Sequence, residues 1–195
     1  MKKFFLIALV FLPVAPLFSQ TIFGIKGGLN LAKIHIEASI PGFGSGSNSS
    51  DNLTSFHAGL YMRARLGTSV SIQPELIYSG QGGTSQGSDL KLDYLNLPVM
   101  LLYHANEQFS LQAGPQLGFI LSTNSGSVSN DFNAMDFGLA LGAGYDFTGG
   151  PNLTFRYVLG LTNITKIDTT GAPAGTSITT TNQVIQFSIG FKLSK

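Results

Sequence analysis

Eight separate stretches of this chain alternate apolar and polar residues with a period of two, and few folds admit that pattern. Successive side chains of a β-strand point to opposite faces, so each stretch reads as a strand with two unlike faces. The runs begin at Phe23, Phe56, Val70, Tyr94, Phe109, Asp136, Leu153 and Ile185. In the first, Phe23, Ile25, Leu29 and Leu31 share one face, and Gly24, Lys26, Gly28 and Asn30 the other. In the sixth, Phe137, Leu139, Leu141, Ala143, Tyr145 and Phe147 oppose Asp136, Gly138, Ala140, Gly142, Gly144 and Asp146. Each run is about 9–13 residues, the length a tilted strand needs to cross a bilayer. Strands of globular proteins are shorter, with a mode near 5–6 residues.

The connections alternate as well. Glu37–Asn52, Gly80–Asp89, Ser122–Asn133 and Ile164–Asn182 are long and rich in small polar residues. Gly67–Ser69, His104–Gln108 and Thr148–Pro151 are short. Long loops at one end and tight turns at the other are the layout of an outer-membrane barrel, with both termini on the short-turn side. Closing the sheet satisfies every backbone polar group, as hydrocarbon requires.

Alternation alone does not say which face is inside. A soluble eight-stranded barrel of the lipocalin kind turns its apolar set inward, and a membrane barrel turns it outward. Three features favour the membrane. Only 11% of the residues are charged, against roughly 25% in an ordinary soluble domain. The polar face is mostly Gly, Ser, Thr, Gln and Asn, and its repeated glycines weaken a water-exposed strand but make room inside a narrow tube. Aromatic residues of the apolar face gather toward strand ends. Phe23, Tyr103, Phe109, Tyr145, Phe147, Phe155 and Phe191 fall at the short-turn ends, and Phe56, Tyr78, Phe119 and Phe137 at the long-loop ends, as two interfacial girdles. The expected fold is all-β: an eight-stranded antiparallel up-and-down transmembrane β-barrel over residues 21–195.

Residues 1–20 read as a secretory signal peptide. Met1-Lys2-Lys3 is basic, Phe4–Leu12 is apolar, and Pro13, Pro16 and Ser19 follow. Removing Lys2 and Lys3 moves the net charge from +1 to −1. A nearly neutral chain is no nucleic-acid binder. The chain contains no Cys, which excludes disulfides, thiol chemistry and a lipid-modified N-terminal cysteine.

Several segments resemble one family. Phe23-Gly24-Ile25-Lys26-Gly27-Gly28-Leu29-Asn30 is similar to the opening strand of the PorT-like outer-membrane β-barrel proteins of Gram-negative bacteria. So are Tyr94-Leu95-Asn96-Leu97-Pro98-Val99, Gln112-Ala113-Gly114-Pro115-Gln116-Leu117-Gly118 and Gly142-Ala143-Gly144-Tyr145. Arg156-Tyr157 with Gly160-Leu161-Thr162-Asn163-Ile164 matches the seventh strand of that family. The resemblance covers the mature chain and implies a fold and a location, a porin-like label, and little about activity. The C-terminus departs from the common pattern, because Ser194-Lys195 follow Phe191-Lys192-Leu193.

The inward set holds Lys26, Arg63, Arg65, Glu75, Asp136, Asp146, Arg156 and Lys192. Buried charges must pair. The expectation is an ion-pair network of Lys26, Arg63, Glu75, Asp136 and Arg156 that plugs the lumen, since eight strands enclose a space that side chains just fill. Three histidines, His35, His57 and His104, offer no spacing that identifies a nucleophile or base, although His35 and His57 at the long-loop end have Glu37 and Asp51 within conceivable reach. Asp51, Asp89, Asp93 and Asp131 near that rim lack a calcium-loop motif. No catalytic residue, cofactor or metal is expected. The functional expectation is a monomeric structural or interaction protein of the envelope. Its partners would be outer-membrane lipids, the barrel-assembly machinery and envelope proteins met through the loops. A narrow porin or small-ligand transporter, and a component of a secretion or gliding apparatus, are the alternatives.

Overall fold

The computed structural model describes residues 21–42, 44–124, 128–166, 173 and 175–193. The expected signal peptide, 1–20, lies outside the described residues. The strands are β1 (Thr21–Ile40), β2 (Gly44–Ser49), β3 (Leu53–Arg65), β4 (Val70–Ser85), β5 (Ser88–His104), β6 (Phe109–Thr123), β7 (Met135–Asp146), β8 (Pro151–Gly160) and β9 (Ser177–Lys192). One helical turn, α1 (Val128–Asp131), lies between β6 and β7. All neighbours are antiparallel in the order β2-β1-β3-β4-β5-β6-β7-β8-β9, and pairing of β1 with β9 closes the ring.

Nine strands make eight walls. β3 pairs with β1 from Thr21 to Ala32, and β2 pairs with the same side of β1 from His35 to Ile40. The two are one wall interrupted at Ser50–Asn52. The segment expected as a long first loop is therefore largely paired. The second long connection is a hairpin too: Ser85 pairs with Ser88 across Gln86-Gly87. Both turn residues have positive φ, 50° and 79°, as a tight hairpin turn with the twist of its strands demands. Apart from the six-residue β2, the strands thus run from 10 to 20 residues, because they continue past the apolar band at the long-loop end.

The faces are as the alternation implies. Phe23, Leu29, Phe56, Leu60, Leu101, Leu141 and Ile189 are exposed on the outer wall, while Lys26, Asn30, His57, Glu75 and Arg156 are buried inside. A ring of exposed aliphatic and aromatic side chains far exceeds the apolar patches a soluble monomer carries, so the outer wall's solvent is lipid. Phe155 is misplaced by the girdle reading: it sits in mid-strand, its ring 5.1 Å from that of Phe187. Arg65 departs as well. Inward alternation ends at Arg63, Ala64 is buried, and Arg65 at the strand's end is exposed. Interior glycines accommodate bulk. A Cβ on Gly24 would lie 2.2 Å from Cζ of Tyr61, whose ring fills that space.

Leu97 faces outward in the middle of β5 and is 39% exposed. Leu97→Arg should lower bilayer stability by about 2–4 kcal/mol, measured by denaturant titration of vesicle-inserted protein. No loss would mean that the faces are reversed.

Candidate functional site

The lumen is stratified along the strands, and its short-turn half is ionic. Glu75 of β4 is the hub. Arg156 of β8 donates to it through Nη1 to Oε2 and Nη2 to Oε1, both at 2.9 Å. This two-pronged geometry suits a guanidinium and a carboxylate. Lys26 Nζ of β1 approaches the same oxygens at 3.3 and 3.4 Å, and Gln73 Nε2 donates to Oε1 at 2.6 Å. Arg156 also donates to Gln112 Oε1 at 3.1 Å. In the ring order β4 and β8 are opposite walls, so the Glu75–Arg156 pair spans the lumen.

A second transverse pair lies beside it. Arg63 of β3 donates through Nη1 to Asp146 Oδ2 at 2.5 Å on β7, the wall opposite. Its Nε donates to Gln73 Oε1 at 2.6 Å, which ties the two pairs together. Lys192 reaches Asp146 at 3.4 Å. Of the five expected members, Lys26, Arg63, Glu75 and Arg156 meet, and Asp136 does not. Asp136 opens β7 at the long-loop end and Asp146 closes it at the other, so only the latter reaches Arg63. Both carboxylates have the inward phase; only the register of eight strands decides between them.

Above the ions the interior is neutral, with polar groups beside a buried apolar cluster that includes Ala32, Ala140, Val158 and Val184. His57 bonds Asn30 Oδ1 through Nδ1 at 2.7 Å and Ser188 Oγ through Nε2 at 2.8 Å. Asn30 donates to Ser79 Oγ at 2.9 Å, and Asn182 donates to Gln81. The histidines do not converge. His57 is enclosed in this ladder, half-buried His35 bonds Ser49 and Glu37, and His104 bonds Ser71 at the far end. Asp51 bridges to Thr84 rather than approaching a histidine. Among the described residues no group of three His, Asp or Glu is placed to hold a metal ion.

Still nearer the long loops, Leu92, Tyr94, Ile120, Phe132 and Ile164 form an apolar cover across the tube. Phe132 and Ile164 come from the connections, joined by a bridge between Phe132 and Thr165. Phe132 and Ile164 also line a cup of about 310 Å³, together with Ile34, Leu90, Ser49, Ser85 and Ser88. Sequence reasoning missed the cover, because its loop residues carry no period-two signal.

A family model described as outer membrane protein beta-barrel domain matches residues 18–166. The chain belongs to this family of outer-membrane β-barrels. The match ends before β9, the closing strand, whose alternation from Ile185 and pairing with β1 complete the ring. The fold is similar to Neisserial surface protein A at 13% identity and a TM-score of 0.48, covering 88% of this chain and 97% of that one. OprG of Pseudomonas aeruginosa is similar at 15% identity and 0.47, covering 90% and 97%. Ail, the attachment invasion locus protein of Yersinia pestis, is similar at 12% identity and 0.44, covering 86% and 98%. No curated protein matches the sequence. As an outer-membrane barrel, the protein turns its tight turns toward the periplasm and its long connections outward.

Glu75→Ala would leave Arg156 and Lys26 buried without their carboxylate. It should lower stability by about 3–5 kcal/mol in the same titration, whereas exposed Arg65→Ala should stay within about 0.5 kcal/mol. Equal effects would show that the hub is dispensable.

Proposed function

We propose that this protein is a closed outer-membrane barrel that acts as a structural or interaction element of the envelope through its outward end. The observation that carries this reading is the Glu75–Arg156 pair. It links opposite walls, with the Arg63–Asp146 pair beside it. Breaking such a pair to admit a solute would strand charges in a low-dielectric tube. The apolar cover of Leu92, Tyr94, Ile120, Phe132 and Ile164 supports the same reading at the other end. The function then rests with the surfaces that remain: the lipid-facing wall, the paired extensions of β1, β2, β4 and β5, and the cup they surround.

The PorT-like motifs support a narrower assignment within the family, and with it a second reading as a component of a secretion or gliding apparatus. In both readings residues 1–20 export the chain, the assembly machinery inserts it, and it works as a monomer that meets envelope proteins through its outer connections. No residue is assigned a catalytic role.

Planar-bilayer recording tests the closed lumen. Purified, refolded protein should give no stepwise single-channel currents at moderate voltage. Discrete, reproducible steps would favour a narrow pore and sink the closed-barrel reading. Co-purification from native membranes with a stoichiometric envelope complex would favour the apparatus reading.

A further inference from the structure

One buried carboxylate is left out of the ion pairs. Asp136 is only 9% exposed, and its Oδ1 accepts a hydrogen bond from Thr162 Oγ1 at 2.7 Å. Among the described residues no lysine, arginine or histidine pairs with it. The interior cations Lys26, Arg63, Arg156 and Lys192 are committed to Glu75 and Asp146. A carboxylate removed from water requires a counter-charge or a proton.

Its surroundings are rich in acceptor oxygens. Gly118 of β6 pairs with Asp136 on one side and with Asn96 on the other. With no side chain on Gly118, its neighbours lean across it: a Cβ there would lie 2.7 Å from Asn96 Oδ1 and 3.0 Å from Tyr94 Cδ1. Gln116 is the next inward residue of the same strand. The Tyr94 hydroxyl lies within interaction range of both Asn182 and Asp136. Both amide atoms of Asn96 and Gln116 Oε1 are buried and make no hydrogen bond, and Tyr94 Oη and Asn182 Oδ1, buried too, have no further partner than each other. These four residues are each at least nine-tenths buried. Native proteins seldom leave buried polar atoms unsatisfied, and a cluster of them marks a place for a guest.

We propose that the upper lumen binds one monovalent alkali cation beside Asp136, with Asn96, Gln116, Tyr94 and Asn182 supplying neutral oxygens directly or through water. Hard oxygen donors select hard cations. One carboxylate balances one positive charge, whereas a divalent ion would add an uncompensated charge above an ionic layer that already holds more cations than carboxylates. The apolar cover on one side and the Glu75 layer on the other make this a held ion rather than a conducted one.

The test is thermal unfolding of the folded barrel in micelles, in sodium, potassium or N-methyl-D-glucamine chloride at equal ionic strength. The midpoint should be higher in at least one alkali salt and rise with its concentration to saturation. Asp136→Asn, which retains an oxygen for Thr162, should abolish the increment, and Asp89→Asn on the exposed hairpin should preserve it. Asn96→Leu, which removes a neutral donor and no charge, should shift saturation to higher salt. Equal wild-type midpoints in all three salts would overturn the proposal. So would an undiminished increment in Asp136→Asn. A midpoint that follows pH alone, identically in every salt, would assign a proton to Asp136 and overturn it too. Channel silence or conductance does not enter these outcomes, so the site stands or falls apart from the closed-lumen reading.

Discussion

Pairing of β1 with β9 is the interaction on which everything else depends. It runs from Gly24 with Lys192 to Ser39 with Ser177. An open sheet with this sequence would present two bare edges to hydrocarbon, where no water satisfies an N–H or C=O. Closure removes both edges and also defines an inside. Only then do the inward positions of eight walls face one another, and only then do Glu75 and Arg156, 81 residues apart in sequence, share two hydrogen bonds. The outward positions meet lipid for the same reason. One ladder thus assigns two solvents to two faces of every strand.

The interior is built in layers because the walls differ in what they contribute at each height. Near the periplasmic turns, long basic side chains on β1, β3 and β8 reach across to carboxylates on β4 and β7. In the middle, Asn30, His57, Gln81 and Asn182 are too short to span the tube and bond to near neighbours instead. Toward the outside, Leu92 and Ile120 turn inward and Phe132 and Ile164 fold over them from the connections. In the proposed closed barrel, such layering is what resists water entry at both ends. It also isolates Asp136, which lies above the cations and below the cover.

Most of the wall was legible in the sequence because the pleat imposes a period that hydrocarbon on one side makes visible. Leu139 and Leu141 against Gly138 and Ala140 need no structure to be sorted. Position along the axis was not legible. Asp136 and Asp146 share a phase, a strand and a chemistry, yet only Asp146 meets Arg63, because register between strands depends on turn geometry and on the break between β2 and β3. The outer connections misled for a related reason. Segments such as Gly44–Ser49 are polar on both faces, so the alternation that announces a strand is missing while the pairing itself continues.

That absence has a functional meaning. Within the bilayer, lipid on one face and the lumen on the other fix the outward choices tightly, and Phe, Leu and Ile recur. Beyond it the same backbone ladder is held by hydrogen bonds with little demand on side chains, so Gly44–Ser49 can be Gly, Ser and Asn throughout. Side chains freed from packing are available for contact. The cup over Phe132 and Ile164 lies among these extensions. Phe132 and Ile164 line it and also belong to the apolar cluster, so in the proposed closed barrel the sealing of the lumen is coupled to the surface offered outside. Any partner that pulls Phe132 or Ile164 outward would uncover Tyr94 and, beneath it, the oxygens around Asp136.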